Sequence, residues 1–285
     1  MNGLLPPRPP PGAAPAPPQG AGGLFDAHCH LQDDRLAGSL PGVLERARAA
    51  QVHGFASAGS SEADWARLRD LDVPGLVRGY GLHPWYVGAR SPGWLQVLGT
   101  FLEEPGTFVG EVGLDHLLRD RDEAAQARVL REQVDLARSL GRPLVLHAVR
   151  ALEPVEAILQ DLGPLPDGFL CHAFRGPVDR IPSLVRLGGH FSIAATVLRT
   201  RNRKVRDAAA AVPLERLLLE TDSPDLPPDD ARDLRVGPDG RILNEPSLLQ
   251  RVLACVASLR GLEPELLARA TTRNAGRFYR CPPLE

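Results

Sequence analysis

The segment "LFDAHCHLQD", Leu24 to Asp33, sets Asp26, His28 and His30 at alternate positions, with Ala27 and Cys29 between them. Alternate residues of a half-buried strand share one side, so both imidazoles are expected to face the same point. Coincidence, a hydrogen-bonded polar cluster and one wall of a metal site all stay open from this segment alone. Polar residues end other apolar runs in the same manner: His83 in "LVRGYGLHP", Glu111 in "TFVGEVGLD", His147 in "PLVLHAV", His172 in "GFLCHAF" and Asp222 in "RLLLETDSP". Singly, each has a bland reading: a strand histidine is usually a hydrogen-bonded core residue, and an Asp before Ser-Pro starts a turn. Jointly, five of the eight histidines and two carboxylates sit at run ends, and burying that many titratable groups is costly unless cations compensate. Imidazole with carboxylate suits zinc, manganese, iron, cobalt or nickel, whereas a site for magnesium alone is usually richer in oxygen. Six candidate ligands exceed what one catalytic ion needs, so two divalent ions (zinc, manganese or magnesium) sharing one carboxylate are the simplest arrangement.

Distant residues meet only if the elements bring them together. Eight short apolar runs, starting at Leu24, Val52, Leu76, Thr107, Pro143, Gly168, Gly189 and Arg216, alternate with helix-like stretches. In "DEAAQARVLREQVDLARSLG", Ala125, Val129, Val134, Leu136 and Leu140 lie close to a 3.6-residue stripe, with Gly141 placed as a C-cap. Strands alternating with helices imply βαβ units and a parallel sheet, and eight units predict an α/β fold, a (β/α)8 TIM barrel. The segments "EPSLLQRVLACVASLRG" and "EPELLARATTRNAGRFY" fit a last barrel helix and an extra C-terminal helix packed over the outside. A doubly wound open sheet is the alternative, but it calls for a Gly-rich first turn, and "CHLQDDRLAG" is not one. In a barrel all the polar run ends converge on one mouth, where active sites of this fold lie.

The 285 residues, 43% hydrophobic, suit a single barrel at residues 24–285 behind a disordered Pro/Gly/Ala-rich tail at residues 1–23. The formal charge, 33 − 35 = −2, offers no global basic field, so a polyanion needs a local patch or bound cations. The four cysteines form no CxxC pair, which removes the spacing signal for structural zinc or thiol redox chemistry and suits small core fillers. No apolar run reaches the ~20 residues of a membrane span. A soluble, cytoplasmic, monomeric protein with no membrane partner is expected.

The chain resembles the TatD family of metal-dependent deoxyribonucleases, among the amidohydrolase-type barrels. The resemblance is carried in family order by "DAHCHL", "GYGLHPW", "VGEVGLD", "PLVLHAVR", "CHAF", "LLLETDSP", "NEP" and "TTRNAGRFY", from Leu24 to Tyr279. It implies one metal held by His28, His30, Glu111 and Asp222, and a second held by Glu111, His147 and His172. It also implies that His83 lies near the scissile phosphate without being a ligand, that Asp222 accepts the proton of the attacking water, and that Arg241 and Asn244 belong to a patch at the loop ends. His116 stands where the family often has tyrosine, and Arg175 where serine is frequent; both flank the ligands. Many amidohydrolase relatives bridge their metals with a carboxylated lysine. Lys204, the only lysine here, follows strand seven, so Glu111 must bridge, which argues against a dihydroorotase or urease type.

A nucleic-acid strand, such as a single-stranded DNA end, is the expected partner. The run "RTRNRKVR" carries Arg199, Arg201, Arg203, Lys204 and Arg206 directly after strand seven, where barrel phosphate sites frequently lie; a solvated first helical turn is the bland equivalent. Arg199, Arg201, Arg203 and Arg175 are taken as strand contacts, and Trp85 as a base-stacking surface, although Trp85 and Tyr86 could equally cap the barrel. The long stretch from Ser223 to Pro246 reads as a rim loop or lid. The same ligands would also serve deacylation of D-aminoacyl-tRNA, an activity found among TatD-like proteins, or another metal-dependent ester or amide hydrolysis. A metal-stabilised binding protein is the third reading, disfavoured because a binder needs no proton acceptor beside an open metal position.

Overall fold

The computed structural model describes residues 23–230, 234–237 and 239–281; the proline-rich tail expected at residues 1–23 lies outside them except for Gly23. Eight strands follow the eight apolar runs: β1 Leu24–Cys29, β2 Val52–Gly59, β3 Leu76–Tyr80, β4 Phe108–Asp115, β5 Leu144–Val149, β6 Phe169–Cys171, β7 Gly189–Ile193 and β8 Leu217–Leu219. They pair in parallel in chain order β1 to β8. Between β1 and β4 lie α1 Asp34–Ala37, α2 Leu40–Ala49, α3 Glu62–Arg69 and α4 Trp94–Leu102; later crossovers carry α5 Glu123–Leu140, α6 Leu152–Leu162, α7 Ile181–Arg186 and α8 Arg203–Ala211. Two helices, α9 Leu249–Arg260 and α10 Pro264–Tyr279, follow β8. The arrangement is a (β/α)8 TIM barrel.

The strand period of two sorts side chains into two cores. Leu144 and Leu146 of β5, Phe169 and Cys171 of β6, and Leu217 and Leu219 of β8 join the layer between sheet and helices. Val145, Leu170 and Leu218, the residues between them, join a cluster inside the barrel with Phe25 and Phe108. Two residues further along the inner face stand His147, His172 and Glu220. The inner face is therefore apolar at the bottom and titratable at the top.

β1 departs from strict alternation. Its pairing with β2 shifts register between Asp26 and Cys29, and Asp26 turns away from the expected shared face to the seam with the eighth strand. There its carboxylate accepts from Thr221 N at 2.9 Å and Thr221 Oγ1 at 2.5 Å. Backbone bonds from Asp222 N to His28 O and from His30 N to Ser223 O close the ring.

The extra helix also sits differently from its expected place over the outside. Ala275, Phe278 and Tyr279 of α10 enter the interior cluster, and Tyr279 Oη donates to Ala27 O at 2.6 Å. The helix plugs the N-terminal end of the barrel, because the small interior residues Ala27, Ala56 and Ala58 leave room that aromatic rings fill. The four cysteines are unpaired, with Cys29 and Cys171 buried as core fillers. Among the described residues no helix is long and apolar enough to cross a membrane.

Candidate metal centre

Strand geometry delivers His28 and His30 from the end of β1, Glu111 from β4, His147 from β5, His172 from just past β6 and Asp222 from just past β8 to one rim. Gly113 lets β4 approach β5 closely: its φ is +152°, and a Cβ there would stand 1.9 Å from His147 O. Glu111 is the hub. Its Oε2 lies 3.2 Å from His28 Nε2 and 3.5 Å from His30 Nε2, and Asp222 Oδ1 lies 3.7 and 3.6 Å from the same two nitrogens. Four donors each about 2.1 Å from a zinc-sized ion stand about 3.4 Å apart, so this spacing fits such an ion. The other oxygen, Oε1, faces His147 Nδ1 at 2.5 Å, His172 Nε2 at 2.7 Å and His83 Nε2 at 3.4 Å. One carboxylate thus divides its oxygens between two nitrogen sets.

Outer partners decide which ring nitrogen carries a lone pair inward. His30 Nδ1 donates to Ala58 O at 2.8 Å, leaving Nε2 to the centre. His147 Nε2 donates to Asp115 Oδ2 at 3.2 Å, leaving Nδ1. Glu220 Oε1 lies 3.5 Å from His172 Nδ1, held in place by Ala173 N and Ser192 Oγ. His83 has the opposite polarity. Its Nδ1 accepts from Trp85 N at 3.2 Å, so in the neutral ring Nε2 carries the proton and points inward as a donor. His28 Nδ1 is buried without a hydrogen-bond partner among the described residues.

Electrostatics follow the same division. Burial opposes ionisation of Glu111, but His172, His83 and His147 outweigh it and hold its carboxyl well below the usual range. Asp222 is lowered too, its burial overcome by the His30 bond and the charges of His172 and His28. Burial would lower His30, yet its Asp222 bond and Glu111 raise it to about 9. His172 and His147 are raised by Glu111 against their own burial. His83 alone goes the other way, pushed down to about 4 by burial. Cationic imidazoles around ionised carboxylates are the arrangement in which divalent ions can replace protons.

A cavity of about 560 Å³ opens over this centre. Trp85, Tyr86 and Leu117 line it as exposed apolar surfaces. Its wall also holds Arg35, Arg67 and Arg175. Arg35 is tied to Asp33 and Asp225, and Arg67 to Asp34; Arg175 has no ion pair among the described residues. Arg199, Arg201 and Arg203 are not part of this wall. The first two pair with Asp229 of the rim loop, which partly neutralises the basic run, and Arg203 is exposed at the start of α8. Arg241 is exposed and paired with Asp239. Asn244 is buried, its Nδ2 donating to Thr221 O at 2.6 Å, so it anchors the rim loop rather than facing the mouth. His116 lies past β4, its backbone bonded to Val149 O.

Several supporting residues escaped the sequence reading. Asp115 ends the quoted "VGEVGLD", and Glu220 opens "ETDSP". Gln126 and Gln133 of α5 are buried polar residues on an otherwise apolar stripe, which is itself a signal that a helix face touches backbone. Gln133 bonds both Leu82 N and Leu82 O, and Gln126 bonds Asp115 N and Pro84 O, steadying the segment that carries His83 and Trp85.

A family model described as TatD related DNase matches residues 25–280. The chain belongs to the TatD family of metal-dependent hydrolases. It is 32% identical over 260 residues to the 3'-5' ssDNA/RNA exonuclease TatD of Klebsiella pneumoniae, covering 90% of this chain and 97% of that one. It is 29% identical over 264 residues to the uncharacterized metal-dependent hydrolase YabD of Bacillus subtilis, covering 90% and 99%. The crystal structure of the TatD homologue YjjV of Escherichia coli superposes with a TM-score of 0.82 at 28% identity, covering 91% and 98%. For this TatD-family chain, metal-dependent hydrolysis is the reaction class that the donor set serves.

Proposed function

We propose that the protein is an exonuclease that trims single-stranded nucleic-acid ends, using two divalent ions bridged by Glu111. The observation that carries the reading is the division of Glu111: one oxygen faces His28 and His30, the other faces His147 and His172. Asp222 completes the first set. Bound there, the ions would activate a water to attack phosphorus in line as the P–O bond to the departing nucleotide breaks, and would offset the charge on the phosphoryl and leaving oxygens. Asp222 accepts the proton of that water. His83 donates its Nε2 hydrogen to a phosphoryl oxygen, which helps most as charge builds there. Arg175, the cation of the wall without a carboxylate partner among the described residues, holds an adjacent phosphate. Trp85 presents a ring that is 56% exposed for a base to stack on. Arg199, Arg201 and Arg203 lie further out and act as the field that draws the strand to the mouth. A pocket recessed in a barrel rim admits a frayed end more readily than the middle of a duplex. All these donors come from one chain, so the centre is complete in a monomer.

The test incubates purified protein with an end-labelled single strand, its duplex, or a D-aminoacyl-tRNA, each with manganese, magnesium, zinc or chelator. Stepwise shortening of the single strand that chelator abolishes is expected. Release of amino acid with no shortening would replace the nuclease by a deacylase. Glu111→Gln is expected to lose bound metal, and Asp222→Asn to lose rate more than metal, as read by metal analysis beside turnover.

A further inference from the structure

Asp115 stands between two features that the proposed reaction uses separately. Its Oδ2 accepts from Trp85 Nε1 at 2.6 Å and from His147 Nε2 at 3.2 Å. Its Oδ1 accepts from Leu117 N at 2.7 Å. The carboxylate is 2% exposed, while the indole that it holds is 56% exposed on the cavity wall. The Trp85 ring also sits edge-on to His83, with centroids 4.8 Å apart. A surface tryptophan is therefore fixed by the same oxygen that orients a ligand imidazole.

We propose that Asp115 is a positioning residue that couples the Trp85 platform to the ion-holding nitrogen of His147. A carboxylate on the outer nitrogen of a ligand imidazole sets the ring's orientation and basicity. Here the shorter of the two bonds to Oδ2 comes from the indole, so Trp85 decides where that oxygen stands. Without the indole N–H, the remaining ties are the Leu117 amide on the other oxygen and the longer bond to His147. More negative charge would then be left for His147, but Asp115 lines the open cavity, from which solvent would replace the lost donor. Loss of position therefore sets the sign, and ion affinity falls. Linkage is reciprocal: whatever fixes Trp85, including a stacked base, must tighten the ion at His147. That last step rests on the strand-stacking reading above; the Trp85–Asp115–His147 link does not.

The test is a double-mutant cycle on the ion-free full-length protein, titrated calorimetrically with manganese or zinc and no nucleic acid. Trp85→Phe keeps an aromatic face and removes the N–H. It is expected to weaken ion affinity by about 3- to 10-fold, and Asp115→Asn by about 10- to 100-fold. Because Trp85 acts through Asp115, the double variant should bind no more weakly than Asp115→Asn alone. Wild-type ion affinity in Trp85→Phe, or losses that multiply in the double variant, would overturn the link. If Asp115→Asn does not fold, Trp85→Phe decides alone, its melting temperature reporting that the barrel is intact. A single-stranded oligonucleotide added to the wild type tests the stacking reading separately. If it leaves ion affinity unchanged while Trp85→Phe still weakens it, the stacking reading fails and the link stands.

Discussion

A neutral imidazole offers one donor and one acceptor nitrogen, so whatever holds its outer nitrogen decides what the inner one can do. Ala58 O and Asp115 leave lone pairs on His30 and His147 aimed inward, whereas Trp85 N leaves His83 with an inward hydrogen. His83→Ala is accordingly expected to keep its metal and to lose kcat by about 10²-fold or more, the range for removing one hydrogen-bond donor to a developing oxyanion, while His30→Ala loses metal. Metal content measured beside single-turnover rates separates the two, and a His83→Ala protein depleted of metal would refute the donor role. Asp222 adopts φ 61°, a conformation uncommon for residues other than glycine. Asn tolerates that region, so Asp222→Asn changes the proposed proton acceptor without forcing the backbone.

At the scale of elements, the site depends on how closely β4 meets β5 and on what fills the barrel beneath. Gly113→Ala would drive a Cβ into His147 O, and the strands cannot part without moving both Glu111 and His147. A loss of stability on the order of 3 kcal/mol, together with weakened metal loading, is expected from urea unfolding and metal titration. α10 contributes from the opposite end. Tyr279→Ala empties an interior position packed against Phe25 and Phe108 and leaves Ala27 O without its donor. It should cost about 3–5 kcal/mol while metal stoichiometry is kept, because the plug and the mouth lie at opposite ends of the strands.

For the molecule as a whole, one half-buried histidine outside the centre, His190, makes stability depend on pH. Burial, with the nearby Arg216 charge, pushes His190 down from 6.5 to about 4; its Nε2 faces Arg216 Nη1 at 3.4 Å, and its ring packs on Phe278. A depressed imidazole means that the folded protein binds fewer protons than the unfolded chain between these values. The contribution is therefore complete above pH 6.5 and is lost as pH falls toward 4. The loss is on the order of 3 kcal/mol for a shift of this size. Urea midpoints at pH 7 and pH 5 should differ less in His190→Asn than in the wild type; equal differences would remove His190 as the cause.

Strand runs, the α5 stripe ending at Gly141 and the polar residues closing each run are local quantities, and they sufficed for the barrel and for the residues gathered at its mouth. Pairing is not local. The register shift in β1 turned Asp26 to the β8 seam, although period two had placed it beside His28 and His30. Charge density along the chain singled out Arg199 to Arg206, but Asp229, brought from the rim loop, pairs with part of that run while Arg175 and Trp85 line the cavity. α10 found the hollow end of the barrel because the alanines that leave it hollow lie on β1 and β2. Which side chains occur and at what period is written residue by residue; which ring nitrogen faces inward, and which charges remain unpaired, depends on partners that only closure of the barrel brings within hydrogen-bonding distance.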